Sequence, residues 1–324
     1  MRPTELPKQS IGKNKSTARD AHVTIMSSNV NCPQGTVPIR RTLREDLIRA
    51  KAFRESFSSN IHTLTGLTPG KHQAIVRSIF NPKYTYKGIE GTISVYNPVV
   101  GIDQTATAQI WIEKGPRNTR NSLQAGWMVA PNLYGDNKTH WFGYWSVQGN
   151  SPQGCFNHLC LGFVQVDQNQ IPGSAIHEIS DERTQYNIDF QIFQDSKTGD
   201  WWLRAPNVGA NIGYWPKSLL PGLSNGASTV IWGGQTLGER YGASPGMGNG
   251  RVIDDGDFRH ACYVENMKLV DPTFFVLPPA GPKYQTEIFV DNTECYKLEK
   301  YGYNGQERGY SFLFGGPGGN NCGA

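Results

Sequence analysis

From about residue 75 to residue 270, apolar side chains recur at every second position in short segments, and this period constrains the fold more than any other feature. In Tyr186-Asn187-Ile188-Asp189-Phe190-Gln191-Ile192 the apolar residues take one face and the polar residues the other, the pattern of a half-buried strand. Similar segments occupy roughly 91–99, 105–114, 123–130, 139–148, 160–167, 173–180, 200–205, 226–237 and 258–270. Links such as Pro131-Asn132-Leu133-Tyr134-Gly135-Asp136-Asn137 separate them, and Gly 37 and Pro 20 among 324 residues supply the turns. About ten strands joined in this way argue for an all-β antiparallel sandwich rather than a βαβ fold. No GxGxxG or P-loop run contradicts this. No stretch approaches the roughly 18 consecutive apolar residues of a membrane-spanning helix, so a soluble chain without a membrane partner is expected.

Ahead of this body lies a different kind of segment. Residues 1–30 are polar, lack periodicity and are expected to be irregular. Thr42-Leu43-Arg44-Glu45 then forms a capping-box pattern, which predicts a helix over about 42–57 with Leu43, Leu47, Ala50, Phe53 and Phe57 on one stripe. A single apolar stripe must bury itself on something. Pro69-Gly70 marks a boundary, giving a head over 31–72 and a β body over 73–324. The first 72 residues carry 12 Lys+Arg against 5 Asp+Glu, leaving 19 against 22 for the remainder. A basic head on a faintly acidic body is suited to dock on it, to bind polyanions or to stay solvated. No run of five like charges occurs, and a nucleic-acid partner is not expected.

Elimination narrows the chemistry. The six cysteines, Cys32, Cys155, Cys160, Cys262, Cys295 and Cys322, show no zinc-finger spacing, and the seven histidines include no HExxH pair, so no metal and no cofactor are expected. Cys155 and Cys160 bracket a loop short enough to close on itself, and Cys295 is placed to tie the C-terminal tail through Cys322, which points to an oxidising compartment. Cys262 sits in a strand-like segment and reads as a buried thiol. No GxSxG elbow occurs. Asp254-Asp255-Gly256-Asp257 lacks EF-hand spacing and reads as a solvated turn. Sequons at Asn14 and Asn137 allow glycosylation. All eight tryptophans follow residue 110, and part of that aromatic set, with Trp127, Trp145, Tyr214 and Trp215 as candidates, is expected to line a groove for an extended ligand.

Longer strings carry a resemblance. Asn31-Cys32-Pro33-Gln34-Gly35-Thr36-Val37-Pro38-Ile39-Arg40-Arg41 resembles the CPxGTVPIRR signature of the activation peptide in the neprosin family. Gly126-Trp127-Met128-Val129, Leu133-Tyr134-Gly135-Asp136-Asn137-Lys138-Thr139, Gly213-Tyr214-Trp215-Pro216, Trp232-Gly233-Gly234 and Gly315-Gly316-Pro317-Gly318 follow in the family's order. The resemblance implies a plant protein with an inhibitory prosegment ahead of a concanavalin-like jelly-roll sandwich, a glutamic endopeptidase cleaving near proline. It also implies disulfides Cys155–Cys160 and Cys295–Cys322 and an extracellular or secretory setting, although Met1-Arg2-Pro3-Thr4 begins no signal peptide. Cys32, the signature cysteine, lacks the upstream partner that the family usually supplies.

At the two positions matching the family's catalytic glutamates, this chain carries Gln124, before Ala125-Gly126-Trp127, and Gln235, after Gly233-Gly234. A carboxamide has nearly the shape of a carboxyl but takes up no proton near neutral pH, so it orients water without deprotonating it. Loss of a positioned general base removes on the order of 10²- to 10⁴-fold in rate. The expected function is therefore an impaired peptidase homologue that binds a peptide or protein, its own prosegment included, with proline-rich ligands favoured by the resemblance. The alternatives are an active endopeptidase working in acid after removal of the head, with Glu239 as a substitute carboxylate, and an extracellular polysaccharide-binding sandwich.

Overall fold

The stretch Thr105–Lys114 alternates polar with small or aliphatic residues, broken by Trp111 and Lys114, and in the computed structural model it is the central strand of a seven-stranded sheet. Residues 1–9, 21–22, 32–60, 70–238, 242–320 and 322 are described. Among them, eighteen strands numbered along the chain build two sheets. The smaller sheet holds β3 (Lys71–Ser78), β5 (Thr105–Lys114), β6 (Asn121–Val129), β7 (Thr139–Val147), β8 (Gln153–Phe156), β13 (Thr229–Leu237) and β16 (Thr286–Val290) in the order β16-β3-β13-β5-β6-β7-β8, all antiparallel.

The larger sheet runs β1-β15-β14-β4-β10-β11-β12-β9, with β17 and β18 joined through β14 and β2 beside β10. Its members are β1 (Lys8–Gln9), β2 (Ala21–His22), β4 (Gly88–Ser94), β9 (Val164–Gln165), β10 (Tyr186–Gln194), β11 (Trp201–Ala205), β12 (Ala210–Trp215), β14 (Cys262–Val270), β15 (Phe275–Leu277), β17 (Lys297–Tyr303) and β18 (Tyr310–Gly315). Ala108, Ile110, Trp127, Trp141 and Trp232 from the first sheet meet Ile89, Phe190, Leu203, Trp215 and Phe314 from the second in one buried core. The chain is the all-β sandwich that the alternation predicts.

Several boundaries differ from expectation. The first thirty residues contribute two short strands, β1 pairing with β15 and β2 with β10, where irregular chain is expected. The first strand after the head, β3, starts at Lys71. Of the segments 160–167 and 173–180 only Val164–Gln165 is a strand, and β15 to β18 carry no period-two signal. In β18 the reason is visible: Phe312 and Phe314 enter the central core while Leu313 enters a second buried cluster with Tyr263, so both faces are apolar.

The head helix α1 spans Arg44–Asn60, later at both ends than 42–57. Its N-terminus is satisfied one residue along from the expected box, with Leu43 N–H donating to Asp46 Oδ2 at 2.8 Å. Asp46 also binds Arg49 at 2.5 Å, and a carboxylate there suits the helix dipole. Of the stripe, Phe53 is buried and Ala50 packs beside it, while Leu43 and Leu47 remain half exposed. The side chain of Phe57, and the sequon at Asn14, lie outside the described residues.

Candidate functional site

Alternation on the smaller sheet puts a second set of side chains on the face away from the core. From β5 these are Thr105, Thr107, Gln109, Trp111 and Glu113; the register adds Ser122, Gln124 and Gly126 from β6, Ile231, Gly233 and Gln235 from β13, and Gln73 from β3. Gln124 lies opposite Trp111, and Gln235 opposite Thr107, so the two glutamines flank β5 from either side, four positions apart along it. Lys71 lies at the register of Thr105, eight positions from Glu113, which in a flat strand is about 27 Å, more than their side chains span. The Lys71 charge offsets part of the rise that burial imposes on the Glu113 carboxyl, and the burial of Gln109, Gln124 and Gln235 makes this outward face the floor of an enclosed trough.

The trough is polar and buried. Gln109 and Gln124 are fully enclosed and Gln235 is 4% exposed. Gln124 Nε2 donates to Ser122 Oγ at 3.3 Å, but Oε1 of Gln124, Oε1 of Gln235 and both amide atoms of Gln109 have no hydrogen-bond partner. Each such buried group costs about 1–3 kcal/mol, so the cluster is retained against stability. Among the described residues Gln124 and Gln235 do not bond to each other; Gln109 stands between them.

Among the described residues one buried carboxyl shares this face. Glu113 pairs with Arg120 at 3.2 Å, and burial pushes its carboxyl above the ordinary range, with Arg120 offsetting part of that rise. Glu287, at the β16 edge, is exposed and paired with Arg77. Glu239, the expected substitute, lies outside the described residues.

The aromatic set expected in the groove is elsewhere. Trp127, Trp145 and Trp215 point into the core between the sheets, as their even or odd places in β6, β7 and β12 require. Tyr214 is on the outer face of the other sheet, in tilted contact with Trp202 with ring centroids 5.0 Å apart. Adjacent Trp201 and Trp202 do face opposite ways, but the outward one is itself covered by Val276 and its neighbours. Sequence reasoning fixed the alternation without its phase. The trough instead takes Trp111, clustered with Ile75 and Ile231, and on its other flank Phe142, Tyr144 and Phe156.

The second flank carries the head. Phe53 of α1 enters one buried cluster with Met128, Phe142, Tyr144 and Phe156, all on the trough face of β6, β7 and β8. Upstream, Gln165 Nε2 donates to the carbonyl of Pro38 at 3.2 Å and Gln168 Nε2 to that of Thr36 at 2.8 Å. The head thus rests on β7 and β8 while β3, next in the chain, lies beyond β5 and β13.

The Neprosin family model matches residues 102–317, about two thirds of the chain. The chain belongs to the neprosin family. Solved structures with looser likeness include a scytalido-glutamic peptidase with a transition-state analog inhibitor, at 11% identity and TM-score 0.41 over 77% of this chain and 98% of that one. SCP-B, an eqolisin-family peptidase in complex with the tripeptide Ala-Ile-His, follows at 10% identity and TM-score 0.35 over the same shares. A β-porphyranase from the human gut bacterium Bacteroides plebeius reaches 6% identity and TM-score 0.24 over 50% of this chain and 64% of that one. Overlaps this loose carry no argument about the site.

As the neprosin-family resemblance implies, Cys155–Cys160 and Cys295–Cys322 are bonded, which is compatible with an extracellular setting. Cys32 and Cys262 are free, and burial pushes the Cys262 thiol up to about 12, which keeps it protonated. Asn137 is exposed and Thr139 of its sequon is buried, bonded to the carbonyl of Tyr96 at 2.7 Å. Asp257 of the acidic turn pairs with Arg259 at 2.6 Å, and Asp255 with His260. Among the described residues no His/Cys/Asp/Glu group is arranged to hold a metal, and no helix is long and apolar enough to cross a membrane.

Proposed function

We propose that this neprosin-family chain is an extracellular peptide-binding protein with impaired peptidase chemistry, its trough covered by its own head until the head is removed. The observation that carries this reading is the pair Gln124 and Gln235: two carboxamides on one enclosed face, each with an unpartnered carbonyl oxygen. Carboxamides hold an extended chain by hydrogen bonds, yet supply neither a proton acceptor near neutrality nor a shared proton in acid. Glu113, the buried carboxyl on that face, is tied to Arg120 and has no acidic neighbour among the described residues to share a proton with.

With the head trimmed away, the chain is expected to bind proline-containing peptides and to cleave none of them between about pH 2 and 6. Robust turnover that disappears in Gln124→Ala overturns this reading. A second reading, an endopeptidase cleaving near proline in acid, draws support from Glu113, whose raised proton affinity suits a general acid. It requires that Glu113→Gln abolish whatever cleavage is seen. Seven of the eight tryptophans face away from the trough and only Trp111 lies in it, which leaves little of the aromatic platform that would favour a polysaccharide ligand.

A further inference from the structure

At the middle of β5, Gln109 is fully buried with both Nε2 and Oε1 unpartnered. Packing the sandwich does not call for it, since the position faces away from the core and an aliphatic side chain of that length fills the space without stranded polar atoms. Across the ladder on either side stand Gly126 and Gly233, which have no side chain to engage the amide. A Cβ at Gly126 would come 2.6 Å from the Gln109 Cα, so the bare flank is a requirement of the close strand approach. The nearest carboxamides along β6 and β13, Gln124 and Gln235, also have free carbonyl oxygens, so donor and acceptor of Gln109 are both left for a group that is not part of the fold.

In an extended chain the N–H and C=O of one residue point to the same side, and a facing group that both donates and accepts satisfies them together. A carboxamide edge does so. We propose that Gln109 grips the main chain of a bound extended peptide at a single residue, Oε1 accepting that residue's N–H and Nε2 donating to its C=O. This rests on the peptide-binding reading above and adds a specificity rule. The residue held by Gln109 is not proline, because proline has no N–H to give; a proline-containing ligand must seat its proline at another place in the register.

The test uses the full chain, nicked at a protease site inserted between residues 60 and 70, so that every residue is kept while the head is free to leave. The probe is a blocked octapeptide with one proline, together with analogues in which one backbone N–H at a time is N-methylated. Wild type is expected to lose about tenfold in affinity for one analogue, the value of one hydrogen bond. Gln109→Met is expected to bind the parent peptide about tenfold more weakly, to treat that analogue like the parent, and to melt no lower than wild type. Gln109→Leu, which removes donor and acceptor together, serves as the second variant and is expected to weaken the parent peptide as well. Affinity and an N-methyl profile unchanged in both variants would overturn the proposal while leaving the peptide-binding reading intact. Absence of binding by wild type to every peptide overturns both, and the two patterns are distinct.

Discussion

Phe53 of the head meets Phe156 of β8 edge-on, with ring centroids 5.2 Å apart and planes at 63°, on the same face of the sheet that carries Gln124 and Gln235. Edge-to-face geometry is a favoured arrangement for such rings, and Phe53 is the most deeply buried of the stripe residues whose side chains are described. The docking of the head therefore depends on one aromatic anchor far more than on the half-exposed Leu43 and Leu47.

Replacing that anchor should free the head without unfolding the body. Phe→Ala at a buried site costs about 3–5 kcal/mol, so Phe53→Ala is expected to raise opening of α1 roughly 150- to 5,000-fold, read as amide hydrogen exchange of residues 44–60. Exchange in β5 and β13 should stay unchanged. Equal protection of α1 in the variant and the wild type would show that the head is held by something else.

The strand body was legible because alternation survives wherever one sheet face is core and the other polar, as in Thr105–Lys114. It failed where that contrast is absent, as in β18 with Leu313 and Phe314 buried on opposite sides. The polar positions of the trough could be counted from sequence, but which tryptophans share their face could not. Trp111 and Trp127 both sit in strongly alternating strands, and only the register shows that one joins Gln124 while the other joins the core. Gln109 was missed for the opposite reason: a polar residue in an alternating strand carries no signal until its burial and unpartnered atoms are known.

His158 adds a pH dependence to head docking. Its two ring nitrogens are buried without partners in a pocket shared by Arg40, Thr42 and Asp46 of the head and Tyr134 and Asn157 of the body, and burial holds its pKa below the ordinary histidine value. A base depressed in the folded state gives stability that is complete above the ordinary histidine range and is lost as pH falls through it. Arg40 opposes a new positive charge there and Asp46 favours it; the Asp136–His140 pair beside Tyr134 also faces this region. The protection of α1 amides relative to the intrinsic exchange rate at each pH is expected to fall as pH drops from about 7 to about 5, and His158→Asn to flatten that fall. A slope unchanged in His158→Asn would assign it to another group.

Glu113 has the contrary sign. Its carboxyl is raised by burial, so the unfolded chain ionises first and stability contributed by this group falls as pH climbs from the ordinary carboxyl range through the folded value. Glu113→Gln alone should destabilise by about 3–5 kcal/mol near neutrality, since it leaves Arg120 buried without a counter-charge. Glu113→Gln with Arg120→Met should recover most of that loss and flatten the dependence, as measured by denaturant midpoints across pH. A single variant as stable as wild type would mean that the ion pair is dispensable.

Restoring carboxyls at both amide positions is the most direct trial of the impaired-peptidase reading. Gln124→Glu with Gln235→Glu changes no shape, and burial will raise both proton affinities, so the variant should be most stable in acid and lose stability towards neutrality relative to wild type. With the head trimmed, acid-dependent cleavage near proline is expected to appear, on the order of 10²- to 10⁴-fold above either single variant. The four-position offset across β5 places the two groups on opposite sides of Gln109, so a bound peptide bond held by that amide would lie between them rather than beside one. A double variant that folds, shows the acid-shifted stability of two buried carboxyls and still cleaves nothing would mean that the trough has diverged from catalysis in more than these two side chains.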